Sequence, residues 1–340
     1  MATEEDYRLF RYNVPLDGVE PSETLDTFTR DGVVVLPQFA TLEEVCGMKR
    51  RMAELIDAWD PAEAKGSVFH TYGNEKLNQE YFLESAATVK FFLEADAVDK
   101  SSGLVKPDLA KSEIINKVGH ALHFLDPVFT SYSQSAKVKA LVKALGYRDP
   151  VLPQSMYIFK QARIGGEVTS HQDSTYLFTT PHQTCLGMWL ALDDATLENG
   201  CLWARKGSHH EPLRSQLVRT DAADASTDTA DTSTSARGLA KIAPKEVNVD
   251  GDDEAGRSSA RARQWLGKVP GGSVKYSAAA DAALRAEGFV PLPVKAGDLV
   301  CFPGSLDHLS LANETAHSRH TFQLHLVEGP GETRPLLPLY

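Results

Sequence analysis

The sequence has no long apolar run and few cysteines. No apolar stretch among its 340 residues approaches the roughly 20 residues that a membrane-spanning helix requires. The first ten residues, MATEEDYRLF, have neither the basic start nor the apolar core of a signal peptide, and the chain does not end in a peroxisomal SKL-type signal. The four cysteines lie far apart and form no CxxC pair, which favours reduced thiols. We therefore expect a cytoplasmic protein without a membrane span.

Basic residues are also in short supply. The chain has 35 Lys and Arg residues against 46 Asp and Glu residues, which gives a formal net charge of −11 at pH 7. Such an acidic chain lacks the electrostatic footprint of a nucleic-acid-binding protein, so we expect no nucleic-acid partner. Hydrophobic residues make up 42% of the chain, which is enough for a folded core and excludes a wholly disordered protein.

The N-terminal part of the chain shows mainly helical patterns. A short β-branched run at 33–36 predicts a strand. Thr41 and Glu44 then form a capping-box pattern, and apolar residues follow at helical spacing. We expect the first 145 residues to be mostly helical. Helices are predicted over 42–58, around 85–95 and over 133–145.

Strand patterns dominate the rest of the chain, and no helical pattern separates them clearly. An antiparallel barrel or sandwich is therefore expected. In the last strand the polar residues Arg319, Thr321, Gln323 and His325 alternate with less polar ones, which indicates a barrel whose interior lines a cavity. The strands are predicted over 155–163, 185–194, 298–304 and 319–329.

One segment breaks this pattern. Residues 220–236 consist only of Ala, Asp, Ser and Thr, a composition that cannot bury enough apolar surface to order itself. We interpret 215–263 as a flexible insertion in a loop between strands. The expected organisation is an N-terminal arm at 1–24 and a single domain at 25–340 that contains this insertion.

Chemistry-bearing residues occur at two distant places. His171 and Asp173 are two residues apart, so in an extended segment both side chains point to the same side. His308, far downstream, would complete a set of two histidines and one carboxylate, which suits non-haem Fe(II) and O2 chemistry because it leaves coordination positions open. Arg319 follows on the next strand, and its guanidinium fork suits a carboxylate. The alternatives to His308 as the distal ligand are His317, His320 and His325.

The chain resembles the phytanoyl-CoA dioxygenase (PhyH) family of Fe(II)/2-oxoglutarate oxygenases. The resemblance extends from about residue 25 to 329, in family order. The motifs that carry it are DGVVVLPQF (31–39), INKVGHALHFLDPVF (115–129), HQDSTYLFT (171–179), MWLALDDATLENGCLW (188–203), KGSH (206–209) and the HxSxxN…R block at 308–319.

This resemblance implies a mainly β fold with flanking helices, namely a double-stranded β-helix (jelly-roll) barrel with a helical N-terminal part. It implies Fe(II) as the metal, 2-oxoglutarate as co-substrate and O2 as oxidant, with catalysis through the metal centre. His120 and His123 are candidate residues on the substrate side. The implied metal ligands are His171, Asp173 and His308. The implied 2-oxoglutarate contacts are Arg319, Ser310, Lys117, Met156 and Trp189.

The function expected from the resemblance is hydroxylation of a C–H bond in a small organic substrate. A carboxylate at position 173 favours hydroxylation over halogenation, since related halogenases have a small residue there. An acyl-CoA is retained as one substrate class. The alternatives are a non-oxidative metal-binding barrel such as an isomerase or lyase, a zinc hydrolase, and a non-catalytic binding protein.

Overall fold

The computed structural model describes residues 21–64, 67–69, 79–99, 102, 104–220, 238–242, 274–329 and 334–335. Most of the segment expected to be an N-terminal arm lies outside these residues, and the first helix begins inside it, at Pro21. The helices are α1 (Pro21–Asp31), α2 (Leu42–Ala58), α3 (Gln79–Glu84), α4 (Leu122–Leu125), α5 (Pro127–Ser133), α6 (Ala136–Ala144) and α7 (Ala278–Ala286).

The strands alternate with short turns and outnumber the helices among the described residues. In the first half of the chain they are β1 (Val34–Leu36), β2 (Val68–Phe69), β3 (Val89–Glu94), β4 (Ile115–His120), β5 (Pro150–Lys160), β6 (Val168–His171), β7 (Thr179–Thr180) and β8 (Leu186–Ala191). In the second half they are β9 (Leu202–Arg205), β10 (Gln216–Thr220), β11 (Gly238–Ile242), β12 (Phe289–Leu292), β13 (Leu299–Pro303), β14 (His308–Ser310), β15 (Arg319–Glu328) and β16 (Arg334–Pro335).

Two sheets build the barrel. The larger has the order β1-β13-β8-β15-β5-β4-β3-β2, and the smaller has the order β12-β9-β14-β6. Neighbouring strands run antiparallel, except for the parallel pair β2 and β3. Trp189 of the larger sheet and Trp203 of the smaller belong to one buried cluster. This is the double-stranded β-helix architecture, so the expected fold class is confirmed.

The two faces of the larger sheet differ in burial. Along β5, Ser155, Tyr157 and Phe159 are buried, whereas the residues between them are only partly buried. The buried set packs under the N-terminal helices: the Phe129 ring of α5 meets the Tyr157 ring edge-on at 6.0 Å. Because side chains alternate between faces, the less buried set faces the barrel interior. The partial burial of this set indicates that the interior lines a cavity and is filled less tightly than the face under the helices.

The helix over 42–58 forms as predicted, with the capping box between Thr41 and Glu44 in place. The helix predicted around 85–95 is wrong. Ser85–Ala87 is a short 3-10 turn, and Val89–Glu94 is strand β3. Among the described residues of 21–145, helical residues still outnumber strand residues, but β3 and β4 extend the larger sheet into this part of the chain. The physical reason is non-local: Phe92 pairs with Lys117 across β3 and β4, and this sheet pairing overrides the local pattern.

The segment at 215–263, expected to be a flexible insertion, contains two strands that pair with each other. Gln216 pairs with Ile242 and Thr220 with Gly238 in an antiparallel hairpin formed by β10 and β11. The low-complexity stretch at 221–236 and residues 243–263 lie outside the described residues. Among the described helices, none combines the length and the apolarity needed to cross a bilayer.

Candidate metal centre and co-substrate site

Three predicted ligands meet at one point of the barrel. His171 ends β6 and His308 begins β14, and these two residues are direct partners in the antiparallel pairing of the strands. Their ring centroids are 4.2 Å apart. Asp173 begins a 3-10 turn after β6, and its Oδ1 lies 3.4 Å from His171 Nε2 and 3.7 Å from His308 Nε2. The three ligand atoms lie within 4.8 Å of one another, which is compatible with one metal ion.

The backbone fixes the tautomer of both histidines. His171 Nδ1 lies 2.8 Å from the Thr169 carbonyl, and His308 Nδ1 lies 3.1 Å from the Leu306 carbonyl. A carbonyl can only accept, so Nδ1 donates in both rings and Nε2 is the atom directed at the cluster. Burial, together with the neighbouring His171, lowers the pKa of His308 to about 4, so its ring is neutral at pH 7. This is the protonation state that a metal ligand needs.

A polar clamp joins the two ligand strands. Ser170 and Asp307 immediately precede the two ligand histidines, and the Ser170 hydroxyl donates to Asp307 Oδ1 at 2.6 Å. Arg214 donates to the same carboxylate at 2.8 Å and to Ser170 Oγ at 3.0 Å. Ser208 Oγ, in the KGSH motif, accepts from the Asp307 backbone N–H at 2.9 Å. Sequence reasoning missed this clamp, since nothing in the spacing of these residues signals it.

The alternative distal ligands lie elsewhere. His317 is exposed in the loop before β15. His320 faces away from the cavity and bonds to the Tyr157 hydroxyl through Nδ1 at 2.9 Å. His325 is close to the cluster, but its Nε2 contacts the other oxygen of Asp173, Oδ2, at 3.0 Å. The geometry therefore favours His308.

Arg319 is a buried cation with few partners. It begins β15 and is only 2% exposed. One guanidinium nitrogen donates to the Gly200 carbonyl at 2.8 Å, and the guanidinium lies 5.3 Å from the centre of a Trp189 ring. Its Nε is buried without a hydrogen-bond partner, and no carboxylate of the described residues forms an ion pair with it. Burial lowers the pKa of Arg319 to about 10, so it remains charged at pH 7.

Hydroxyl groups lie on the strands next to this guanidinium. Thr321 is two residues after Arg319 on β15, so both point into the cavity. Its hydroxyl is buried and has no hydrogen-bond partner. Ser310 is buried two residues after His308 on β14. Sequence reasoning placed Thr321 on the polar face of its strand but did not select it as a site residue.

Gly200 supplies its carbonyl from a backbone that only glycine tolerates easily. Its φ is +80°, and a Cβ there would lie 2.4 Å from the Leu311 carbonyl oxygen and 2.6 Å from Lys160 Cδ. The close approach brings the loop after β8 against Leu311, which follows β14, and against Lys160, which ends β5. It also fixes the carbonyl that accepts the hydrogen bond from the Arg319 guanidinium.

Lys117 is a second buried cation on the interior face of the larger sheet. Its Nζ is 4.0 Å from Met156 Sδ, and it lies 5.0 and 5.6 Å from the ring centres of Phe92 and Phe82. Burial lowers the pKa of Lys117 to about 7. Strand pairing places Lys117 and Thr321 in one row across Ile158 of β5.

The two candidate substrate-side histidines differ in their surroundings. His123 is tied to β5, because its backbone N–H and its Nδ1 both bond to Ser155 Oγ, at 3.1 and 3.0 Å. His120 Nδ1 lies 2.7 Å from Ser85 Oγ, while the Ser85 hydroxyl donates its proton to the Phe82 carbonyl. His120 Nδ1 must therefore be the donor to Ser85, which leaves Nε2 as an unprotonated acceptor.

These donors fit the metal and the co-substrate that the resemblance implies. Two imidazoles and one carboxylate form the facial set used by non-haem iron. An unpaired buried cation is costly by several kcal/mol, so the Arg319 position is suited to an anionic ligand such as a carboxylate. The unpartnered Thr321 hydroxyl adds a polar group for the same ligand.

Comparison with known proteins agrees with this geometry. The family described as phytanoyl-CoA dioxygenase (PhyH) matches residues 28–321. The chain belongs to this family. It is 38% identical over 318 residues to phytanoyl-CoA dioxygenase 1 of Oryza sativa subsp. japonica, covering 94% of this chain and 92% of the relative. It is 36% identical over 318 residues to phytanoyl-CoA dioxygenase domain-containing protein 1 of Mus musculus, covering 92% and 91%.

A solved structure shares the PhyH-family fold. EctD from S. alaskensis, in a crystal structure with bound Fe, aligns with a TM-score of 0.52 at 17% identity, covering 94% of this chain and 81% of that one. At this identity the likeness concerns the fold alone. It supports the jelly-roll assignment made from the strand order.

Proposed function

We propose that this PhyH-family protein is an Fe(II)/2-oxoglutarate-dependent dioxygenase that hydroxylates a C–H bond of a small organic substrate. The observation that carries this proposal is the pairing of two features in one cavity. A cluster of two histidines and one aspartate lies near a buried arginine that no described carboxylate neutralises. A metal-dependent isomerase or lyase has no need for this second feature.

The residue roles follow from the geometry. His171, Asp173 and His308 would hold Fe(II), and because Nδ1 of each histidine faces a backbone carbonyl, Nε2 is the atom that each ring offers to the metal. Arg319 would bind the far carboxylate of 2-oxoglutarate, with the hydroxyls of Ser310 and Thr321 as further donors. When bound, Fe(II) and 2-oxoglutarate supply, with O2, the oxidising power for hydroxylation and yield succinate and CO2.

Three further side chains would shape the co-substrate site. Trp189 lies against the Arg319 guanidinium and holds it in place by a cation–π contact. Trp189 lies on β8, on one side of β15, whereas Met156 on β5 and Lys117 on β4 lie on its other side. There the Lys117 ammonium group would attract a co-substrate oxygen. Burial of these groups excludes water from the charged end of the co-substrate, which strengthens each electrostatic contact.

His120 would meet the substrate. Its Nε2 would accept a hydrogen bond from the substrate, and the ring centres of Phe82 and Phe92 lie 5.4 and 5.6 Å from its own. Burial, with Lys117 nearby, lowers the pKa of His120 well below its usual value, so it stays a neutral acceptor. We expect a substrate with a hydroxyl or amine next to an apolar portion. An acyl-CoA remains one class to test.

The experiment is anaerobic addition of Fe(II) and 2-oxoglutarate to the metal-free protein, followed by visible spectroscopy. We expect the weak metal-to-ligand charge-transfer band that chelated 2-oxoglutarate produces. Arg319→Ala should weaken the band at a fixed 2-oxoglutarate concentration, and the matched control Arg50→Ala, at an exposed position of α2, should not. Admission of O2 should then release succinate.

A protein that binds one iron but shows no band would contradict this function. That outcome would favour a non-oxidative metal-dependent barrel. A protein that binds no iron would instead favour a binding protein.

A further inference from the structure

The two carboxylate oxygens of Asp173 have different partners. Oδ1 faces the Nε2 atoms of both ligand histidines, at 3.4 and 3.7 Å. Oδ2 points the other way and lies 3.0 Å from Nε2 of His325. The side chains of Asp173 and His325 are 12% and 5% exposed, so little water competes for this contact. The carboxylate is thus divided between a metal-facing oxygen and a protein-facing oxygen.

A neighbouring amide sets the proton of His325. Gln154 Nε2 lies 3.1 Å from His325 Nδ1, and an amide nitrogen can only donate. His325 Nδ1 is therefore an acceptor, which places the ring proton on Nε2. The Nε2–H group can therefore donate a hydrogen bond to Asp173 Oδ2. Gln154, His325 and Asp173 thus form a chain in which each donor meets an acceptor.

The contact spans the barrel. His325 and Gln154 are direct partners in the pairing of β15 with β5, in the larger sheet. Asp173 follows β6 of the smaller sheet. A register shift between His325 and Val327 begins directly after this position, at a place where bulges typically re-aim a side chain.

The strand partner of His325 is a glycine that leaves space for the Phe302 ring. Gly187 on β8 is this partner, and a Cβ there would lie 2.7 Å from the Phe302 ring. Phe302 in turn packs on the His308 ring, with ring centroids 4.6 Å apart. The larger sheet therefore supports two ligands of the cluster, one through packing and the other through a hydrogen bond.

We propose that His325 is a positioning residue that holds Asp173 as a one-oxygen ligand, with Gln154 fixing the orientation of its proton. The proposal rests on the proposed function for its consequence, since a carboxylate that bound through both oxygens would occupy a position that 2-oxoglutarate needs. Hydrogen bonds from outside the ligand set commonly orient metal ligands in this way.

The test compares three variants with a control. His325→Leu removes the donor. His325→Gln keeps an N–H near the position of Nε2, and Gln154→Leu frees the tautomer. His317→Leu is the matched control, because His317 is exposed outside the cavity. The probe is Co(II) alone, whose visible spectrum reports coordination number and whose titration gives an affinity. Circular dichroism and a thermal melt identify any variant that fails to fold.

We expect His325→Leu to bind Co(II) about 10- to 100-fold more weakly, with a changed visible spectrum. His325→Gln should recover most of the affinity and the wild-type spectrum, and Gln154→Leu should lie between them. Equal losses in the Leu and Gln variants would mean a packing role and would overturn the proposal. So would an unchanged spectrum in both His325→Leu and Gln154→Leu.

The Co(II) test of His325 can fail or succeed independently of the proposed dioxygenase function. Co(II) binding requires no 2-oxoglutarate, so the positioning role is measured even in a protein that turns out not to bind the co-substrate. Conversely, a 2-oxoglutarate band that is present in the wild type and unchanged in His325→Leu would overturn the positioning role and leave the function standing.

Discussion

Replacement of Arg319 by methionine should separate co-substrate binding from folding. The pKa of Arg319 falls from 12.5 to about 10 because of burial, which corresponds to about 3 kcal/mol against the charged side chain. Arg319→Met removes this penalty but leaves the Gly200 carbonyl without its donor, at a cost of about 1–3 kcal/mol. Loss of the Trp189 contact adds about 1 kcal/mol. These opposing changes nearly cancel, so the ligand-free variant should be about as stable as the wild type.

The assay is thermal unfolding under nitrogen, with and without Fe(II) and 2-oxoglutarate. At a co-substrate concentration of about 100 times Kd, the wild type should gain about 2.7 kcal/mol. Scaled to a chain of 340 residues, this is a rise in Tm of about 4 °C. Arg319→Met should show no such rise, whereas the control Arg50→Met should behave as the wild type.

Two results would refute this reasoning. A loss of about 3–5 kcal/mol in the ligand-free Arg319→Met protein is what removal of a structurally required buried charge produces. A full rise in Tm of the variant with 2-oxoglutarate would mean that the co-substrate carboxylate lies elsewhere.

Three further predictions follow from the site. Because burial lowers the pKa of Lys117 to about 7, its ammonium form is lost above that pH. The affinity for 2-oxoglutarate, titrated by the charge-transfer band, should therefore fall from about pH 6.5 to 8.5. Lys117→Met should remove this pH dependence. His308→Ala should abolish Co(II) binding that His317→Ala retains, and equal binding by both would contradict the ligand assignment. Asp307 is buried and forms ion pairs with Arg205 and Arg214. Asp307→Asn should therefore lower the free energy of unfolding in urea by about 2–4 kcal/mol and weaken Co(II) binding at least tenfold. A variant with wild-type stability in urea would contradict the role of the clamp.

The parts of the fold that local chemistry determines could be predicted. Helix α2 was predicted with its bounds because Thr41 and Glu44 cap it and its apolar residues repeat at helical spacing. Strand β3 was missed because its sequence, VKFFLE, owes its conformation to pairing with β4. The residues of β3 and β4 lie more than 20 positions apart in the sequence, and no local pattern indicates that they pair.

The candidate site shows the same division. His171 and Asp173 are two residues apart, so their convergence follows from strand geometry. The alternation of polar residues along β15 indicated a lined cavity, and it included His325. The hydrogen bond between His325 and Asp173, however, joins residues 152 positions apart. Neither this bond nor the Asp307 clamp leaves a local pattern, and both required the folded chain.

The alternation along β5 has a consequence for how this protein can change. Tyr157 and Phe159 support the helices, so substitution there should impair folding before it affects selectivity. Ile158 lies between them and faces the cavity. Cavity-facing positions of β5 outside the metal and co-substrate site, such as Ile158, can thus be altered to accept a new substrate, while the intervening positions keep the scaffold intact. Libraries directed at the cavity-facing positions should retain folded variants far more often than random mutagenesis of the same strand.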